Sequence, residues 1–193
     1  MRKVILLLLF LLTWSYSVKA QEFAIKTNLL YDALLTVNAG AEARLAPKWT
    51  FDLSGNFNAW TVNERRWRHW LAQPELRYWF CQEWQGHFVA AHGLVGQYNI
   101  GNMDFPNFNL LGNKLGDFKK HRYEGWYGGV GVAYGYSWIM SRHWNIEAEI
   151  GFGWVYSRAT AYPCAECGTP EYKDKPVHYV GPTKAAINLV YTF

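Results

Sequence analysis

Two cysteines three residues apart are the sharpest candidates for chemistry in the chain. Cys164 follows Pro163, and Cys167 precedes Gly168. In an exported protein this spacing predicts a structural disulfide within a loop, with two free thiols and a metal or redox site as the alternatives. Cys81 is predicted in a turn at the opposite end of the molecule, so we do not expect it to bond to either.

Two other segments place cations among aromatic side chains. Their candidates for ligand or partner contact are Arg65, Arg66, Trp67, Arg68, Lys119, Lys120 and Arg122. Arginine can bind a phosphate through two parallel N–H groups, and tryptophan favours the membrane interface. The segments therefore predict contact with lipopolysaccharide phosphates or with a partner, and an ordinary solvated rim is the alternative.

The remaining polar residues do not form a recognisable catalytic or metal motif. The six histidines have no spacing typical of a metal site. Ser141 and His143 lie in a predicted short turn, and no H-x-S pair follows an outward strand face. We therefore predict no catalytic residue, no metal and no cofactor. A lipid-modifying enzyme remains the alternative from another functional class.

The composition favours strands in a single domain. The chain has 193 residues, of which 50% are apolar, 18% aromatic and only 18% charged, with 17 glycines. This much apolar material argues against disorder, and the aromatic and glycine content argues against helical bundles.

The first 20 residues predict a secretory signal peptide. Arg2 and Lys3 precede an apolar run over residues 4–14, and Ala20 precedes the expected cut before Gln21. Removing Arg2, Lys3 and Lys19 from the 19 basic residues leaves 16 against 15 acidic ones. A nearly neutral exported chain is not expected to bind nucleic acid.

Residues 21–193 form the second predicted domain, and their dominant pattern is a two-residue alternation. From Trp126 to Tyr156 the even positions are mostly large and apolar, whereas the odd ones are small or polar. Aromatic residues mark both ends of each apolar stripe, which is typical of a strand facing lipid. The fold class predicted is all-β: an eight-stranded antiparallel up-and-down transmembrane β-barrel of the outer-membrane type.

The same alternation predicts strands at 24–32, 35–45, 49–60, 69–80, 86–100, 124–139, 144–160 and 178–193. Connections at 46–48, 81–85 and 140–143 are short, and those at 61–68, 101–123 and 161–177 are long. Short turns predict the periplasmic end and long loops the outside. Pro74 interrupts a strand, which is tolerable at a bulge or rim.

The inward positions of these strands predict a polar interior. Its charged members are Lys26, Glu42, Arg44, Asp52, Glu75, Arg77, Glu147, Glu149 and Lys184, that is, four cations and five anions. A narrow barrel fills with side chains, and buried charges are costly unless they pair. We therefore expect an ion-paired plug rather than a conduit.

The C-terminus carries a predicted assembly signal. Phe193 is outward-facing and spaced by two from Tyr191 and Leu189. This pattern looks like the closing-strand signal that barrel-insertion machinery recognises.

Several segments resemble the domain-of-unknown-function family 3575, from about residue 23 to the C-terminus. They are the K-T-N-L-L-Y-D-A run at 26–33, Lys48-Trp49, Asn58-Ala59-Trp60, P-E-L-R-Y-W at 74–79, Gly86-His87-Phe88 and Gly96-Gln97-Tyr98-Asn99. The resemblance implies an exported outer-membrane barrel, often encoded near surface-fimbria components, without an established catalytic activity. It supplies no active-site residues.

The sequence therefore predicts a protein of the outer membrane of a Gram-negative bacterium, reached after signal-peptide cleavage, with a structural or surface-interaction role and no pore. The predicted partners are outer-membrane lipid and lipopolysaccharide, the insertion machinery, and a fimbrial or other surface protein. The alternatives are a lipid-modifying enzyme, a soluble ligand-binding barrel of the lipocalin type and a small diffusion pore.

Overall fold

A computed structural model of the chain describes residues 22–62, 65–103, 109–110, 113–114, 121–164 and 166–193. The predicted signal peptide, residues 1–20, lies outside the described residues, and so do Lys119 and Lys120. Within the described residues, no helix reaches the length and apolarity that crossing a membrane requires.

Eight strands close into a barrel, in which each strand pairs antiparallel with its two neighbours. They are β1 (Phe23–Asn28), β2 (Val37–Ala46), β3 (Trp49–Val62), β4 (Arg65–Trp79), β5 (Gly86–Gly101), β8 (Arg122–Ile139), β9 (Trp144–Tyr162) and β10 (Tyr172–Thr192). Pairing of β1 with β10, for example Ala24 opposite Thr192, closes the ring. The prediction of eight antiparallel strands in up-and-down order is confirmed.

Between β5 and β8, two short strands form a separate pair, β6 (Asn109–Leu110) and β7 (Asn113–Lys114). The two ends of the barrel differ in the connections that they carry. The short-turn end carries the connections at 47–48, 80–85 and 140–143 together with Phe23 and Phe193. The loop end carries the connections at 29–36, 63–64, 102–121 and 163–171.

The first predicted strand, 24–32, was too long. β1 ends at Asn28, and a short helix α1 (Leu29–Ala33) follows. The Asn28 side chain accepts a hydrogen bond from the Leu30 backbone N–H at 3.1 Å, which caps the helix. Asp32 accepts from Thr27 Oγ1 at 2.8 Å and from Asn38 Nδ2 at 2.7 Å, so α1 is tied to both flanking strands.

The prediction of a long loop at 61–68 is also wrong. β3 continues to Val62 and β4 begins at Arg65, so only residues 63–64 connect them. Trp60 pairs with Trp67 and Thr61 with Arg66 across this hairpin. Likewise, the predicted loop at 161–177 shrinks to 163–171. Polar residues continue these strands past the apolar band, and the alternation signal fades there because both faces are polar.

Pro74 lies inside β4, as expected from the sequence. The β4–β5 ladder is interrupted between Ala72, opposite Val95, and Glu75, opposite His92. Proline has no N–H to donate at this point, and the register continues unchanged on both sides.

Candidate functional site

The barrel interior is built around Arg77 of β4, which is fully buried. Its guanidinium donates from Nε to Glu75 at 2.6 Å, from Nη1 to Glu42 and Glu147 at 3.0 Å each, and from Nη2 to Glu149 at 2.8 Å. These four carboxylates come from β2, β4 and β9. Arg77 therefore ties together strands from opposite sides of the wall.

Two lysines complete this cluster, which we call the barrel network. Lys26 binds Glu42, lies 2.9 Å from Asp52 Oδ2 and 3.5 Å from Glu147 Oε2. Lys184 lies 2.6 Å from Glu75 Oε2 and 3.1 Å from Glu149 Oε2. Eight of the nine charged residues that the sequence assigned to the interior thus meet in one cluster.

Arg44, the ninth, does not join the barrel network, and its assignment was wrong. Its side chain is exposed near the short-turn end, and its Nη1 lies 2.9 Å from Glu83 Oε1 of the 80–85 turn. Arg44 is two residues closer to the mouth than Glu42, so its long side chain reaches solvent. The network therefore has three cations and five carboxyl groups rather than four and five.

His92 also lies inside the barrel, although it was not among the predicted interior residues. It is 3% exposed, its Nε2 lies 2.9 Å from Thr183 Oγ1, and its Nδ1 lies 4.0 Å from Glu75 Oε2. The signal was present in the sequence, because His92 shares the inward parity of Ala90 and Leu94 on β5.

Aromatic side chains close the short-turn end below the barrel network. Trp84 is 3% exposed because the 80–85 turn folds inward, and its carbonyl accepts from Ser137 Oγ at 3.0 Å and Asn145 Nδ2 at 2.8 Å. Trp79 and Phe88 belong to the same buried cluster and pack with ring centroids 4.6 Å apart and ring planes tilted by 44°. No pattern in the sequence indicates that Trp84 enters the barrel.

Polar and aromatic side chains fill the barrel on the other side of the network. A cavity of about 30 Å³ touches Asn28, Asn56 and Gln73. Nearer the loop end, Tyr98 and Tyr127 pack with centroids 5.9 Å apart. The five network carboxyl groups are at most 5% exposed, and the cavity beside them holds only about 30 Å³, which disfavours acid–base chemistry on a substrate at this cluster.

The predicted cationic contact residues occupy different positions at the loop end. Arg65 and Arg68 are exposed, whereas Trp67 points inward and packs edge-on against His69 at 5.5 Å. The Arg122 guanidinium lies 3.8 Å from the centroid of the Tyr162 ring and donates to the Cys167 carbonyl at 3.4 Å. The structure thus places Trp67 and Arg68 on opposite faces of β4. Arg66, at the same end, is partly buried.

Cys164 and Cys167 form a disulfide bond in the 163–171 loop. Cys81 is a free, exposed thiol in the 80–85 turn at the opposite end. Within the described residues, no group of three or more His, Cys, Asp or Glu is arranged to hold a metal ion.

The outer wall near the loop end has a hollow of about 550 Å³ that the sequence reading also missed. We call it the rim groove; its outward side chains include Arg68, Trp70, Gln97, Glu124, Trp126 and Arg158. Trp70 Nε1 donates to Gln97 Oε1 at 3.1 Å, and Glu124 accepts from Asn99 at 3.0 Å and from Tyr162 at 2.6 Å. The groove is thus an ordered surface that spans several strands.

The family model described as "Protein of unknown function (DUF3575)" matches residues 5–193, nearly the whole chain. The chain belongs to the DUF3575 family. This confirms the resemblance seen in the sequence, although the family carries no assigned activity. Searches of curated proteins and of solved structures found no significant match.

Proposed function

We propose that this DUF3575 protein is a barrel of the Gram-negative outer membrane that acts through its surface, as a structural or interaction protein with a closed interior. The observation that carries the proposal is that the barrel has a charged interior and an apolar outer wall, the reverse of a soluble barrel. Charged side chains fill its interior, whereas Val130, Val132, Ile150 and Phe152 point outward and are 51–67% exposed. Such a wall needs an apolar surrounding.

The height of the outward apolar band supports this location. On β9, the outward residues Trp144 and Trp154 bracket Ile146, Ala148, Ile150 and Phe152. Ten residues span about 33 Å of strand, and a tilt of about 40° reduces this to about 25 Å along the barrel axis. An outer-membrane barrel has an apolar band of about this height between its two aromatic girdles.

The packed interior supports a surface role over a conduit. Arg77 and four carboxylates cross the lumen, and Trp84 closes the short-turn end. What stays exposed for recognition is the loop end, with Arg65 and Arg68 as exposed cations. We propose lipopolysaccharide and a fimbrial or other surface protein as the partners contacted there.

The location is tested by expressing the full chain, with its predicted signal peptide, in a Gram-negative host. We expect the mature protein in the outer-membrane fraction, extractable only with detergent, and with a gel mobility that changes on heating. Recovery as a detergent-free monomer would contradict the proposal and favour the soluble barrel.

The surface role is tested by crosslinking in intact cells followed by mass spectrometry. Gly101 pairs with Arg122, so a two-residue Asn-Gly turn can replace residues 102–121 without changing the β5–β8 register. We expect partners to be lost in this variant and kept in a control with Ser141→Ala and Arg142→Gln at the other end. Absence of partners, combined with lipid A that is altered only by the native chain, would favour the enzyme instead.

A further inference from the structure

We propose that the outer wall over β4, β5, β8 and β9 holds one phosphorylated glycolipid of the outer leaflet, with its headgroup in the rim groove and an acyl chain below it. This inference rests on the proposed outer-membrane location. It deepens that proposal by giving the lipid a site on the outer wall of the barrel rather than in the loops, with one lipid molecule per barrel.

The rim groove has the chemistry that a sugar phosphate needs. Trp70 and Trp126 offer apolar ring faces, and Glu124 and Gln97 offer acceptors for sugar hydroxyl groups. Arg68 donates from Nε to Thr61 Oγ1 at 3.2 Å and makes no ion pair with a carboxylate of the described residues, which leaves its two Nη groups for a phosphate.

Arg158 shows the contrast with Arg68. Its Nη1 lies 2.6 Å from Asp174 Oδ2, and its Nε donates to the Tyr156 hydroxyl at 3.1 Å. It therefore shapes one wall of the groove, and Arg68 is the cation assigned to the ligand.

The groove also lies at the level of lipid headgroups. Arg158 is four residues beyond Trp154 of the upper girdle, which is about 13 Å along the strand and about 10 Å along the axis. Headgroup regions begin at the edge of the hydrocarbon core and extend several ångströms outward.

A second hollow lies below the rim groove on the same strands. It has a volume of about 700 Å³ and a lining that includes Leu76, Ala91, Val132, Ile150 and Phe152. Gln97 in the groove and Ala91 in this lower hollow are six residues apart on β5. Their separation is about 20 Å along the strand and about 15 Å along the barrel axis. This is about the depth of one leaflet of a hydrocarbon core about 30 Å thick.

Small outward residues join the two hollows. Gly93 on β5 and Gly128 on β8 lie between the levels of Gln97 and Ala91 on the outer face. A Cβ added to Gly93 would be 3.5 Å from the Pro74 side chain, and one added to Gly128 would be 3.6 Å from the Leu94 carbonyl. Both positions therefore have room for a side chain. In the native chain, we assign this space to the acyl chain, between the rim groove and the lower hollow.

The test uses the full mature protein in detergent micelles, with diphosphoryl lipid A as the probe and native mass spectrometry as the readout. We expect one tightly retained lipid A per barrel. Arg68→Gln should weaken its retention about tenfold, because one charge-assisted phosphate contact is lost. Arg142→Gln, an exposed arginine in the 140–143 turn, should leave retention unchanged.

The acyl path is tested separately by Gly93→Leu combined with Gly128→Leu, which fills it from the outside. Lipid A retention should fall, whereas Ala39→Leu combined with Ala41→Leu on the outward face of β2 should not change it. Heat-dependent gel mobility verifies that each variant is folded, so lost retention cannot come from unfolding.

The inference would be overturned if the Arg68→Gln and Arg142→Gln variants retained lipid A equally. It would also be overturned if the barrel bound many lipid A molecules without saturation. Either result would leave the proposed membrane location intact. Equal retention of phosphatidylethanolamine or phosphatidylglycerol would also overturn the inference, since those lipids lack the sugar. A native chain that is soluble without detergent and retains no lipid would instead defeat the proposed location itself.

Discussion

Phe88 of β5 lies across Gly135 of β8, its direct partner in the sheet. A Cβ on Gly135 would come within 2.3 Å of Phe88 Cζ and within 2.8 Å of the Ala148 carbonyl oxygen. Glycine is therefore required at this position by close approach.

Gly135→Ala should destabilise the barrel by about 1–3 kcal/mol, because Phe88 must move within a filled interior. Gly128→Ala, on the outer face of the same strand, should change stability by less than about 0.5 kcal/mol. Unfolding by guanidinium in detergent, followed through tryptophan fluorescence, measures both. Equal effects of the two variants would contradict the assigned faces of β8.

Arg77→Met should be among the most damaging substitutions in the chain. It leaves four buried carboxylates without their shared cation, and breaking a buried ion pair typically costs about 3–5 kcal/mol. The expected result is a large drop in the guanidinium midpoint or failure of the chain to assemble.

Glu149→Gln is the matched control for Arg77→Met. It removes one of two surplus negative charges from the barrel network and keeps an oxygen for Arg77, so we expect a change within about 1 kcal/mol. A loss as large as that of Arg77→Met would show that the charge balance of the network is misassigned.

Deletion of Phe193 should reduce insertion into the outer membrane and leave the chain in the periplasm. The Phe193 ring packs 5.0 Å from Tyr191 and 6.0 Å from Phe23, where the first and last strands meet. Surface labelling and cell fractionation measure the outcome. Unchanged surface levels would remove Phe193 as an assembly signal.

Cys164 and Cys167 should resist thiol labelling until a reductant is added, whereas Cys81 should label in the unfolded chain without reduction. Peptide mapping by mass spectrometry assigns the sites. Labelling of both loop cysteines without reductant would contradict the disulfide of the structure.

The native barrel should give no stable conductance in planar bilayers, because the barrel network and Trp84 fill its cross-section. A matched outer-membrane porin preparation serves as the positive control. Reproducible single-channel steps would favour the pore instead.

The sequence by itself determined the strand number, the two faces and most of the interior. Alternation has a period of two, so positions such as Lys26, Arg77 and Glu147 could be assigned inward without any knowledge of tertiary contacts. Short sequence segments also identified the family. The sequence did not predict the ends of the strands, because beyond the apolar band both faces are polar and residues 61–68 look like a loop.

Tertiary structure alone decided which charges meet and what closes the barrel. Arg44 has inward parity but lies close enough to the mouth to pair with Glu83, and Trp84 enters the lumen from a turn whose sequence has no periodicity. The rim groove, likewise, is assembled from residues on several strands that are far apart in sequence. Parity assigns a face of a strand, whereas height along the barrel and neighbours across strands depend on the register, which forms only when the sheet closes.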